Sequence, residues 1–204
     1  ELISMTTLRS MSQAYYSREN FGHFGLALKK YAHFTSPIRR YSDLITHRAL
    51  ISSLGLGCDG LKEMDSEKLE GTAKHISDTE RRSMVAERDT TDRYLASYLS
   101  EKVGHEFEGK ISGVAKFGFF VRLNESGAEG IVPVRTLGTD FYYDDDRTNT
   151  LRGSETGLII GLGQRATVRL KEVDPIAGGI AFDALNIDGE KIPNIQKKRS
   201  LRSI

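Results

Sequence analysis

The sequence predicts an α+β fold, a mainly helical N-terminal half followed by a five-stranded OB-type β-barrel, from three observations. Residues 66–102 contain no proline and a single glycine, Gly71, and are rich in Glu, Lys, Arg, Ala and Leu, all good helix formers. From Phe107 onward the apolar residues fall instead into strand-length pieces separated by Gly, Asn, Ser and Asp turns. The chain has 204 residues with 38% hydrophobic content, enough to bury a core in one large or two small domains. That excludes a disordered tail or a stapled peptide. The period changes near Val103-Gly104, so a domain boundary is expected there, dividing residues 1–103 from residues 104–187.

Residues 2–16 read as one amphipathic helix and 37–53 as another, with Leu44, Arg48 and Ile51 on one face. A third covers residues 66–102. In it Leu69, Ala73 and Ile76, then Leu95 and Leu99, recur at three- and four-residue spacing, and Asp65-Ser66 supplies an N-cap. Strands are expected over residues 106–112, 117–123, 130–133, 165–173 and 179–183. Five short strands in about 80 residues suggest a small closed barrel. Between the third and fourth, residues 139–163 are too long for a hairpin and carry Asp144-Asp145-Asp146, so they are expected to form a loop insertion. Residues 188–204 hold Lys191, Lys197, Lys198, Arg199 and Arg202 against Asp188 and Glu190, without apolar periodicity. They read as a flexible basic tail.

Lys and Arg number 29 against 28 Asp and Glu, so overall charge names no partner. One cysteine, Cys58, excludes an intrachain disulfide framework and a multi-cysteine zinc site, which fits a reducing compartment. No run approaches the roughly 18 apolar residues of a membrane span, and the first residues lack a basic stretch followed by an apolar one. A soluble, cytoplasmic, membrane-free chain is expected. Because it starts at Glu1 rather than methionine, it is also expected to be part of something longer.

Charge is concentrated locally. Residues 29–48 carry Lys29, Lys30, Arg39, Arg40 and Arg48 against Asp43 alone. Thr35-Ser36-Pro37 reads as a helix start, with Ser36 capping and Pro37 at the first helical position. A helix N-terminus carries about half a positive charge and ordinarily takes Asp or Glu in its first turn. Here it takes Arg39 and Arg40, and such breaks of a local rule tend to mark function. Two guanidiniums and free backbone N–H groups make a phosphate site, on which Tyr31, Phe34 and Tyr41 could stack bases. The competing reading pairs both arginines with Glu87 and Asp89 of the later helix.

The segment Tyr31-Ala32-His33-Phe34-Thr35-Ser36-Pro37-Ile38-Arg39-Arg40-Tyr41, with Asp43-Leu44 and His47-Arg48 following, resembles the C-terminal signature of the catalytic RNB domain of the ribonuclease II/R family. Met11-Ser12-Gln13-Ala14, residues 22–28, Glu80-Arg81-Arg82 and Ala86-Glu87-Arg88-Asp89 resemble it too. Phe107-Glu108-Gly109-Lys110-Ile111-Ser112-Gly113-Val114, then Phe117-Gly118-Phe119-Phe120-Val121 and Glu129-Gly130-Ile131-Val132-Pro133, are similar to an S1 RNA-binding domain. The resemblance implies processive 3′→5′ hydrolysis of RNA to nucleoside 5′-monophosphates, with divalent metal, normally Mg²⁺, activating water. In this family the metal ligands are an aspartate cluster, Asp-x-x-x-Asp-x-Asp-Asp, which has no match in this sequence. The isolated chain is therefore expected to bind single-stranded RNA without degrading it. By resemblance Arg39 holds the scissile phosphate and stabilises its developing charge, and Glu87 lies near the terminal nucleotide. Tyr31, His33, Arg40 and Tyr41 are expected to support RNA binding. The alternative is a non-catalytic RNA-binding adaptor, and protein partners are not specified.

Three patterns compete for chemistry. Asp144-Asp145-Asp146 imitates a metal cluster, but consecutive acids in an extended loop point in different directions. Ser36, His47 and Asp43 are the residue types of a hydrolase triad, but Ser36 lies in Thr-Ser-Pro rather than a Gly-x-Ser-x-Gly elbow. His23, His33, His47, His75 and His105 lack paired ligand spacing. In the barrel, strand alternation places Phe117 and Phe119 on one face and Phe120 on the other. In S1 domains the positions matching Phe117 and Phe120 face RNA, which requires an irregularity here. Lys110, Lys116 and Arg122 are the expected backbone contacts. Two departures from the S1 pattern are Pro133, where His is frequent, and Gly178-Gly179, where a basic residue is common.

Overall fold

In a computed structural model, residues 7–192 are described apart from 9, 63, 64, 66, 146 and 147. They divide into two units, one up to Ala86 and one from Glu87.

In the first unit the expected helix over residues 2–16 is not found from Met11 onward; its first residues lie outside those described. Met11 N–H closes a turn on Leu8 O at 3.3 Å, and Tyr16 N–H donates to Ser77 Oγ at 2.9 Å instead of to a preceding carbonyl. A side-chain acceptor has replaced the helical one. A short 3-10 turn, Phe24–Leu26, is pinched between His23 and Leu28, whose backbones exchange bonds of 2.8 and 3.1 Å.

Helix α1 runs Tyr41–Leu54, not from Pro37. Ser36 does not cap it. Ser36 O instead accepts from Arg39 N–H and Arg40 N–H at 3.2 and 3.0 Å, forming a turn, and Arg40 is the extended residue that precedes the helix, at φ −123° and ψ 115°. The cause is Asp43, whose carboxylate reaches back to Ser36 N–H and so fixes a bend where a continuous helix would run. Arg39 and Arg40 therefore precede α1 rather than occupying its first turn. At its other end Gly55, at φ 64°, returns its N–H to Ile51 and Ser52, an ending only glycine adopts without strain.

Helix α2, Leu69–Ser100, matches the expected third helix, two or three residues shorter at each end. Asp65 does not serve it as a forward cap: its carboxylate accepts from Lys62 N–H and from Arg48 at 2.8 Å, while Ser66 lies outside the described residues. The apolar stripe divides in two. Ala73 and Ser77 are buried near the start, Ala96 and Leu99 near the end, and every residue from Glu80 to Thr91 is exposed.

The second unit closes a barrel from β1 Glu106–Ala115, β2 Gly118–Leu123, β3 Glu129–Pro133, β7 Arg165–Asp174 and β8 Gly179–Ile187, in the order β3-β2-β1-β7-β8. All neighbours are antiparallel except β3 and β8, whose parallel pairing through Ile131 and Ala181 shuts the ring. Phe119, Val121, Val132, Val168, Leu170 and Phe182 point inward with Ala96 and Leu99 of α2. Gly130 sits at the closure, where an added Cβ would collide with the Phe182 ring. The expected loop over residues 139–163 is instead a three-stranded sheet, β4 Tyr142–Asp145, β5 Thr150–Gly153 and β6 Ile159–Ile160. It is ordered because Tyr142, Leu151 and Ile160 reach the core, and because Asp140 gathers four donors from Ser154, Glu155 and Thr156. Within the expected basic tail, Glu190–Lys191 form a short strand β9 on β8 and Ile192 is buried. Residues 193–204 lie outside those described. Among the described residues no helix is long and apolar enough to cross a membrane.

Candidate nucleic-acid interface

Asp43 is the only charged side chain buried completely among the described residues. One carboxylate oxygen accepts Ser36 N–H at 2.7 Å and the Arg40 guanidinium at 3.0 Å. The other accepts Ser42 Oγ at 3.2 Å and lies 4.0 Å from His33 Nδ1. Burial alone would raise the carboxyl, but the Ser36 and Arg40 donors outweigh it and hold it below its ordinary value. The same hydrogen bond raises Arg40. Around this centre stands an aromatic ladder. The Tyr16 hydroxyl is 2.8 Å from His33 Nδ1, and the rings Tyr16, His33, Tyr31 and His23 meet edge to face at 5.2–5.5 Å.

The expected site residues separate by this geometry. Arg39 is exposed and makes no side-chain hydrogen bond or ion pair among the described residues of its unit, next to a fully exposed Ile38. Arg40 is half-buried and, within its own unit, paired with Asp43 at 3.0 Å. Tyr31 and Phe34 are 47% exposed and Tyr41 is 51% exposed, so each keeps accessible ring surface, in Phe34 on the side away from His47, while His33 is held inside the ladder. Phe34 stacks on His47 at 4.3 Å, and His47 Nε2 bonds Phe34 O at 2.8 Å. That contact, with Asp43 on the Ser36 backbone, leaves no Ser-His-Asp relay. Glu87 is exposed on α2 in the other unit. Asp43 and Tyr16 are the residues that sequence reasoning missed. Asp43 had a signal, its i,i+3 spacing from Arg40; Tyr16, seventeen residues from His33, had none.

On the barrel, Phe119 is fully buried while Phe117 is 62% exposed and touches Phe120 edge to face at 6.3 Å. The irregularity that reconciles them is simple: Phe117 lies in the turn before β2, outside the pleat, so the alternation rule starts only at Gly118. A bulge in β1 between Ile111 and Gly113 leaves Gly113 against the Phe120 ring. Beside the aromatics runs a cationic row. Lys110 on β1 lies opposite Arg122 on β2 and Arg165 on β7, all exposed, and Arg122 bonds Glu129 at 3.0 Å. Arg165 thus lies in register with Lys110, beside the expected Lys110, Lys116 and Arg122. Among the described residues no group of three or more His, Cys, Asp or Glu is placed to hold a metal ion.

A model of the RNB domain matches residues 1–55, and a model of the S1 RNA-binding domain matches residues 100–183. Ribonuclease R of Aquifex aeolicus is 43% identical over 90% of this chain, and ribonuclease R of Escherichia coli is 40% identical over 95%. The chain belongs to the ribonuclease II/R family. It spans about a quarter of those relatives, 26% and 24% of their lengths. The structure of Mycoplasma genitalium ribonuclease R in complex with ribose-methylated single-stranded RNA superposes with a TM-score of 0.83 at 31% identity, covering 90% of this chain and 29% of that one. The apo form gives 0.82. Within this family the chain carries an RNB segment containing the Asp43 network and an S1 barrel containing the Phe117–Phe120 edge.

Proposed function

We propose that this chain is part of a ribonuclease R-like 3′→5′ exoribonuclease that hydrolyses RNA processively to nucleoside 5′-monophosphates. In this reading residues 1–103 are the C-terminal portion of the RNB domain, 104–187 the S1 domain and 188–204 a basic extension whose first residues, through β9 and Ile192, pack on the barrel, in a cytoplasmic enzyme acting on single-stranded RNA. The observation that carries it is the Arg39 guanidinium, without a side-chain partner among the described residues of its unit, on a turn whose other arginine is paired with Asp43. An exposed guanidinium can take two phosphate oxygens in parallel hydrogen bonds and stabilise the charge that grows there during hydrolysis. Glu87 is assigned to the neighbourhood of the terminal nucleotide. Tyr31, Phe34 and Tyr41 offer stacking faces, with His33 bracing Tyr31.

Phe117 and Phe120 would hold bases at the barrel, and Lys110, Lys116, Arg122 and Arg165 the backbone. Processivity follows from keeping the strand on the barrel while its end is shortened at the other site. Family members use a divalent metal, Mg²⁺, to activate water. The described residues of this chain do not fit such an ion, since their one buried carboxylate is saturated by Ser36, Ser42 and Arg40. The chain alone is expected to bind a labelled single-stranded oligoribonucleotide and to leave it intact with Mg²⁺. Release of nucleoside monophosphate from the pure chain would overturn this reading, as would failure to bind.

A further inference from the structure

We propose that Asp43 is the positioning residue of the phosphate-gripping turn: by tying down Arg40 it leaves Arg39 alone to meet an RNA phosphate. The inference rests on the reading of Arg39 given above and gives a structural cause for the different tasks that the family resemblance implies for Arg39 and Arg40. One carboxylate oxygen touches both ends of the turn, Ser36 N–H at its entry and the Arg40 guanidinium at its exit. Between them Ser36 O accepts the N–H groups of Arg39 and Arg40, so the backbone that carries Arg39 is fixed on both sides. The second oxygen is held by Ser42 Oγ and faces His33, which Tyr16 holds in turn.

Arg40 is turned inward. Its Nε is buried without a hydrogen-bond partner, and its terminal nitrogen is on Asp43. A guanidinium so placed would have to break a buried ion pair to reach a phosphate, and breaking such a pair strands the carboxylate as an uncompensated buried charge. Arg39 has no such commitment. Hydrogen bonds to a fixed carboxylate are directional, so they set the direction in which Arg39 leaves the turn as well as its distance.

The test uses the sign of an electrostatic effect. Replacing Asp43 by Asn removes a negative charge from an RNA-binding protein, and by charge alone should tighten binding. The proposal requires the opposite. Affinity of the chain for a single-stranded oligoribonucleotide is measured across a salt series for Asp43→Asn, Arg39→Gln and the two combined. Arg39→Gln is expected to weaken binding about fivefold and to lower the salt slope by about 0.7, one phosphate contact. Asp43→Asn is expected to do the same, and the double variant to be no worse than Arg39→Gln.

Amide exchange of α1 in Asp43→Asn reports whether the fold survives. If α1 loses protection, the charge-neutral pair Arg40→Gln/Asp43→Asn, which leaves no lone buried charge, replaces it with the same expected loss. Tighter or unchanged binding by Asp43→Asn with α1 intact, or by the charge-neutral pair, overturns the positioning role, provided Arg39→Gln weakens binding. An Arg39→Gln variant with unchanged affinity and slope overturns the phosphate reading itself.

Discussion

From Glu87 onward the chain buries Phe119, Leu137, Leu151, Val168, Leu170 and Phe182 in one continuous cluster, whereas among the described residues up to Ala86 the only buried apolar side chain is Ala73. There Phe21, Phe24, Leu54 and Leu56 are all at least 64% exposed. Apart from Ala73, the side chains buried there among the described residues are polar, Asp43 and Ser77. The difference separates two ways of fixing a functional group. The barrel fixes Phe117 and Phe120 by closing a sheet over apolar volume, a non-directional force that tolerates small shifts. The first unit fixes Arg39 by hydrogen bonds converging on one carboxylate, which need correct geometry and little area.

Truncating apolar side chains should therefore separate the units most widely. Phe182→Ala opens a cavity beside Gly130 and Leu170 and is expected to cost about 3–5 kcal/mol of barrel stability. Leu54→Ala, at a side chain 64% exposed at the end of α1, is expected to stay within about 0.5 kcal/mol. Urea melts followed by tyrosine fluorescence and far-UV circular dichroism measure both. A comparable loss at Leu54 would break the comparison by showing that α1 also depends on apolar packing.

Legibility followed the same division. The barrel strands were readable because inward residues alternate with turn residues between them, a signal local to each strand. The small sheet in the insertion was not, because β4 and β5 have four residues each and β6 two, too few for an alternating pattern to show. Its acidic run, Asp144 and Asp145, hid a strand behind what looked like a solvated loop. In the first unit, residue types and spacing pointed to a phosphate site at Arg39 and Arg40 without separating them, and only the family resemblance gave Arg39 the phosphate and Arg40 a supporting part. The distinction depends on Asp43 reaching back seven residues to Ser36, and on Tyr16 meeting His33, and neither approach leaves a periodic trace. The expected helix start at Pro37 failed for the same reason: local capping rules carry no information about a carboxylate in the next turn.

The small sheet offers a sharper contrast, since Asp140 organises a turn by hydrogen bonds inside the otherwise apolar unit. The Thr156 hydroxyl, then the Glu155 and Thr156 N–H groups and the Ser154 hydroxyl, hold its carboxyl well below the usual range despite partial burial. A carboxyl depressed in the folded state contributes stability above its unfolded value near 4, and loses it as pH falls toward the folded value. Asp140→Asn is therefore expected to lower stability at pH 7, with the gap to the parent narrowing as urea melts are repeated from pH 4 down to pH 2.5. A gap independent of pH would mean that shape rather than charge holds the turn.

The smallest expected effect lies on the cationic row, where the barrel also uses directed charge. Arg122 already has Glu129, whereas Arg165 faces Lys110 across β1 and β7 with no side-chain partner among the described residues. Its guanidinium can take a phosphate without giving up a side-chain partner among the described residues. Arg165→Gln is expected to lower the salt slope for single-stranded RNA by about 0.7 and the affinity by only about twofold at physiological salt, with the thermal midpoint unchanged or slightly raised. If the slope stays the same and stability rises, the row is a cost of the fold rather than part of the RNA surface. The barrel would then hold RNA by Phe117, Phe120 and Lys116 alone, and directed charge would belong to the Arg39 turn.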